Sequence, residues 1–190
     1  MDTQSRTQFL ASIDALVESE RLALYANPAA VAALAKRLAA AQGSVFVHDL
    51  DRSPGAIARL KAEAAFEGYV EDAINDERFQ IVGTGVTPVR FRIVPGDALK
   101  REDGLVYRVD VEARFREMGM RFCDGAEALL PVAKDRQLGR GEHPYVALIN
   151  GARGAFVVDG SGARRDLYLD SDDDRWFAYF GFVGVCEPAV

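Results

Sequence analysis

Apolar residues in this chain recur at helical spacing up to about Phe79 and alternate with charged residues after it, and no linker-like stretch separates the two regimes. A switch of hydrophobic period without a linker points to helices and strands sharing one core. The expectation is a single α+β domain over 1–190, with 1–78 mainly helical apart from one strand near 44–50, and 79–190 mainly β. N-terminal helices would then pack on a largely antiparallel, curved sheet. A chain of 190 residues can bury roughly 70% of its extended surface, so it needs no metal or disulfide to hold a core.

In the first part, Ser5 and Gln8 form a capping-box pattern, and Phe9, Ile13, Leu16, Val17 and Leu24 follow at helical spacing. This predicts an amphipathic helix over about 5–25. Asn27-Pro28 opens a second helix over 28–42, because the asparagine can cap and the proline ring is already set for a first turn. Ser44 to His48 is β-branched and aromatic between turn residues and reads as a strand buried on both faces. Ser53-Pro54 starts a third helix that Ile57, Leu60, Ala64, Val70 and Ile74 carry towards Asn75, with Gly68 as a close-packing point or a break.

In the second part, Val89, Phe91 and Ile93 alternate with Arg90 and Arg92. Across a turn at 101–104, Tyr107 to Phe115 alternate with Arg108, Asp110, Glu112, Arg114 and Arg116. The pattern predicts a long hairpin with one apolar and one charged face. Further strands are expected at 145–150, 155–159 and 165–169, and a last one over 176–186. In that last strand Trp176, Phe180 and Phe182 line one face and Phe177, Tyr179, Val183 and Val185 the other. Such a strand must be covered twice, as a central core strand or at a subunit interface.

A formal charge of −6 and a pI near 5.0 argue against a general nucleic-acid binder and against anionic membrane surfaces. The N-terminus lacks the basic and apolar segments of a signal peptide, and the run Trp176 to Cys186 is shorter than the roughly 20 residues of a membrane helix. Cys123 and Cys186 have neither metal-ligand spacing nor disulfide-scaffold density, which points to a reducing cytoplasm. Four of the 23 basic residues are lysine, which leaves 19 arginines. GC-rich coding and bidentate recognition of carboxylates or phosphates both account for that bias.

The chemistry-bearing constellation is Val45-Phe46-Val47-His48-Asp49-Leu50-Asp51 ahead of Ser53-Pro54. Side chains two apart on a strand share a face, so Asp49 and Asp51 are candidate ligands for Mg²⁺ or Mn²⁺, with a helix N-terminus beside them for a phosphate. The same carboxylates are equally suited to capping backbone N–H groups at the strand-to-helix turn. His143 is the candidate acid or base. The aspartate pair resembles the first motif of haloacid-dehalogenase-type phosphatases, which require a βαβ sheet downstream where this chain has hairpins. Taken with His143 and Asp170, it is also similar in order to the motifs of archaeo-eukaryotic primases, from which Pro144 and the acidic charge depart. Asp170 to Asp174 opens like an EF-hand loop, but Arg175 stands where glycine is required and Gly181 where glutamate is.

Arg90, Arg92, Arg108, Arg114 and Arg116 are candidate partner-binding residues on the hairpin's charged face. The order of elements is similar to cystatin-like and nuclear-transport-factor-2-like folds, which imply no single function. The leading expectation is a non-enzymatic interaction or assembly protein that meets a protein partner or itself through its sheet, with no cofactor. The alternatives are a divalent-metal enzyme acting on a phosphate-bearing small molecule or nucleotide, and a small-ligand pocket between helices and sheet.

Overall fold

The central strands β9, β5 and β6 of the main sheet are buried on both faces, which limits where candidate side chains can go. The computed structural model describes residues 45–140, 144–151, 154–160, 164–170 and 175–187, all within the compact unit Ser44–Val190. The helices expected over 5–25 and 28–42 lie outside the described residues. Those that are described do not precede the sheet but are interleaved with it, so the expected helices-then-strands order is not supported.

The described elements, in order, are β1 (Val45–Asp51), α1 (Ala56–Ala64), β2 (Val86–Pro95), a short 3-10 turn (Gly96–Ala98) and β3 (Leu105–Tyr107). Then follow α2 (Arg108–Glu117), β4 (Met120–Arg121), α3 (Gly125–Lys134), β5 (Tyr145–Leu148), β6 (Ala155–Asp159), β7 (Asp166–Asp170), β8 (Arg175–Phe177) and β9 (Gly181–Cys186). The main sheet runs β1-β2-β9-β5-β6-β7, with β4 also paired to β9, and β3 pairs β8 in a separate ribbon. Named strands pair antiparallel except β5 with β9, so the largely antiparallel sheet is as expected.

Alternation along the central strands splits the core in two. Phe91, Tyr145, Ala147, Phe156, Val158, Val183 and Val185 face α1 and α3, whereas Val94, Val146, Leu148, Val157 and Phe182 face α2 and the β3-β8 ribbon. β9 sits between β2 and β5 with Phe182 to Val185 buried, so its double coverage is as the sequence predicts.

Four expectations are corrected. The segment 176–186 is two strands, β8 and β9, because the chain turns at 178–180. There the Gly96 N–H donates to the Phe180 carbonyl at 2.8 Å, and a Cβ on Gly96 would come within 2.7 Å of the Ala178 oxygen. The expected hairpin does not form: β2 pairs with β1 and β9 while β3 pairs with β8, and 108–117 is helix. Its only buried residues are Val111 and Phe115, four apart, while Val109 is 60% exposed. Asp110 lies in the first turn and Arg114 and Arg116 in the last, which suits the helix dipole, and Arg116 pairs with Glu112 at 3.2 Å. β1 is not buried on both faces: Phe46, His48 and Leu50 turn inward, and Val45, Val47, Asp49 and Asp51 outward. Finally, α1 ends at Ala64, where Ala65 adopts a left-handed conformation, well short of Asn75.

Helix α3 has no counterpart in the sequence expectations. It is buried around its whole circumference from Gly125 to Ala133, with Gly125 at its start and Pro131 inside, residues that read as helix breakers. Its legible signal is a capping box: the Asp124 carboxylate accepts from the Ala126 and Glu127 N–H groups, and the Glu127 carboxylate accepts from the Asp124 N–H.

Candidate functional site

The most distinctive surface is built where β8 turns into β9. Strand alternation sends Trp176 inward, where its indole N–H donates to the Asp170 carboxylate at 3.0 Å and its ring meets Phe182 edge-on. Phe177 therefore points outward, and the turn pinned by Gly96 places Tyr179 beside it. Both are 57% exposed, and their rings lie nearly parallel with centroids 5.5 Å apart. Tyr179 also stacks on Phe180 at 4.7 Å. Together with Leu105, Asp170 and Arg175, these aromatics line a recess of about 420 Å³. Exposed large aromatics at the mouth of an apolar recess are the chemistry of a recognition site, since each offers much apolar area at little entropic cost.

The candidate residues read from sequence fall at several places. Asp49 and Asp51 do share the outward face of β1. One Asp51 oxygen accepts from the Ser53 N–H at 2.9 Å, and Arg59 stands 3.5 Å from the other, so this carboxylate serves the strand-to-helix turn. The Ser53 hydrogen bonds hold the Asp51 pKa below the usual carboxylate value, with Arg59 adding to the effect. Among the described residues, no group of three or more His, Cys, Asp or Glu side chains is placed to hold a metal. His143 lies outside the described residues. His48 faces inward beside Phe46, and burial lowers its pKa.

The five candidate arginines do not form one face. Arg108, Arg114 and Arg116 ride on α2, where Arg108 lies over the Phe122 ring, Arg114 pairs with Glu117 and Arg116 with Glu112. Arg90 and Arg92 alone remain together on β2, opposite Val47 and Val45 of β1.

Sequence reasoning missed two buried polar clusters. In one, Arg52 at the end of β1 donates to Asp124 and to Glu127, both at 2.8 Å, and Arg121 of β4 grips Glu127 with two nitrogens at 2.7 and 2.8 Å. In the other, the fully buried Arg165 donates to the carbonyls of Ala64, Val132 and Leu138, closing the C-terminal turns of α1 and α3. The Asp124-to-Glu127 capping-box spacing is the local signal that marks the first cluster, and no local signal marks the second. Comparison with protein-family models, with curated proteins and with solved structures finds no match to this chain.

Proposed function

We propose that this protein works by recognition rather than catalysis. The recess beside β8 receives an apolar or aromatic side chain of a protein partner, a second copy of the chain included. The observation that carries this reading is the exposed, stacked pair Phe177 and Tyr179 at the recess mouth. Around it, Asp170 and Arg175 supply a polar rim, in keeping with interfaces that surround an aromatic anchor with polar groups. Among the described residues β3 and β8 pair only with each other, which leaves strand edges for main-chain pairing with a partner. The two free cysteines support a reducing, cytoplasmic setting. Among the described residues no helix is long and apolar enough to cross a membrane.

Trp176 is the only tryptophan and lines the recess, so its fluorescence reports occupancy directly. Peptides selected by display against the wild-type protein should shift Trp176 emission and bind the Phe177→Ala/Tyr179→Ala variant about tenfold or more weakly, as loss of an aromatic anchor implies. Sedimentation across a concentration series asks the same question of a second copy. Peptides that leave Trp176 unchanged and bind the variant equally well, together with a monomer at every concentration, would sink the reading.

The metal-enzyme alternative has one observation in its favour, the shared outward face of Asp49 and Asp51. Calorimetric titration with Mn²⁺ decides it. Saturable binding lost in Asp49→Ala is the result it requires, and binding indifferent to that change would retire it.

A further inference from the structure

We infer that Arg90 and Arg92 form a binding site for a phosphate monoester, on the face of the sheet that α2 covers. The two residues are i and i+2 on β2, so their side chains leave the same face of the strand, roughly 7 Å apart along it. Val94, two further along, belongs to the core beneath α2, which identifies that face. Their cross-strand neighbours supply no counter-charge: Val47 and Val45 stand opposite on β1, and Gly184 opposite Arg92 on β9.

Most of the described arginines are spent on carboxylates, as with Arg52, Arg101 and Arg121. Arg90 and Arg92 have no ion pair or hydrogen bond to a described residue, and the Arg92 Nε is buried with no partner. A buried guanidinium N–H without an acceptor is costly, and two like charges side by side add to the cost. Both penalties vanish when an oxyanion occupies the site.

The geometry also selects the anion. Two adjacent forks present two positive charges and up to ten N–H donors, which a dianion with three terminal oxygens matches better than a single carboxylate. Gly184, opposite Arg92, lets α2 approach the sheet. The Phe115 ring lies where a Cβ on Gly184 would sit, 2.4 Å away, so α2 packs down over β9 beside Arg92. Arg92 is half-buried, while Arg90 stays exposed at the margin next to the edge strand β1. Cys186 lies within electrostatic reach of both arginines.

The test is calorimetry with inorganic phosphate on the full chain, at low salt, for wild type, Arg90→Gln, Arg92→Gln and the control Arg136→Gln, an exposed arginine elsewhere. Saturable binding is expected, weakened about tenfold or more in each β2 variant and unchanged in the control, since each removes charge-assisted hydrogen bonds. Phosphoserine peptide and a nucleoside monophosphate then distinguish a protein-borne phosphate from a small metabolite, the tighter of the two naming the source. Because Arg92→Gln can disturb packing, the exposed Arg90→Gln variant and a thermal melt of each protein keep the result interpretable. In ¹⁵N spectra the Arg92 Nε–H resonance should move on phosphate addition. No saturable binding, or equal binding by wild type and both β2 variants with a still Arg92 resonance, overturns the proposal.

Discussion

At the scale of single residues, two buried charged groups are held by networks of hydrogen bonds, Glu127 completely and Arg165 through its terminal nitrogens. Glu127 is inaccessible to solvent, yet it accepts from Arg52, from both terminal nitrogens of Arg121 and from the Asp124 N–H. Burial works to raise its pKa, but the Arg121, Asp124 and Arg52 hydrogen bonds outweigh it and hold the carboxyl below its ordinary value. As pH falls, the unfolded chain therefore takes up this proton before the folded one does. The stabilisation is complete above the unfolded value and drains away as pH drops through the folded one. Glu127→Gln should cost about 3 kcal/mol at neutral pH, because Arg121 loses its carboxylate and Arg52 one of its two. Urea titrations at a series of pH values should show a shallower acid slope for the variant; an unchanged slope would mean that Glu127 does not anchor the cluster. Arg165 is the converse case. Burial lowers its pKa, and three carbonyls with the nearby Glu67 carboxylate keep the charge in place.

At the scale of elements, α2 is the instructive one. The stretch Val109, Val111, Ala113, Phe115 alternates as a strand would, but Val111 and Phe115 are also four apart, and the tertiary structure uses only that pair. Alternation over so short a stretch does not distinguish the two conformations, whereas Asp110 in the first turn and Arg114 and Arg116 in the last favour a helix. The two readings predict different mutant behaviour. In a helix, Val109→Ala should change stability by no more than about 0.5 kcal/mol, while Val111→Ala, at a fully buried site, should cost about 2 kcal/mol. Equal losses in chemical denaturation would restore the strand. Helix α3 makes a similar point, since only its cap is written locally and its all-round burial depends on α1, β1 and the sheet closing around it.

At the scale of the whole molecule, the doubly covered central strands leave the exposed candidates among the described residues at the margins of the sheet. The first core takes α1 and α3, the second takes α2 and the β3-β8 ribbon, and the exposed candidates are gathered at the turn after β8 and on the outer part of β2. The sequence by itself determined the mixed α+β class, the positions of β1, β2, β5, β6 and β7, and the doubly buried character of β9. Each of these follows from local alternation or from an unbroken apolar run between turn residues. It also put Trp176, Phe180 and Phe182 on one side and Phe177 and Tyr179 on the other, which is how the recess is divided into wall and mouth. Only the tertiary structure decided that 176–186 breaks in two, that 108–117 coils and that Arg90 and Arg92 part company with the other three arginines. Those outcomes depend on groups far apart in the chain, such as Gly96 against Phe180 and Gly184 beneath Phe115, whose close approach leaves no periodic trace in the residues themselves.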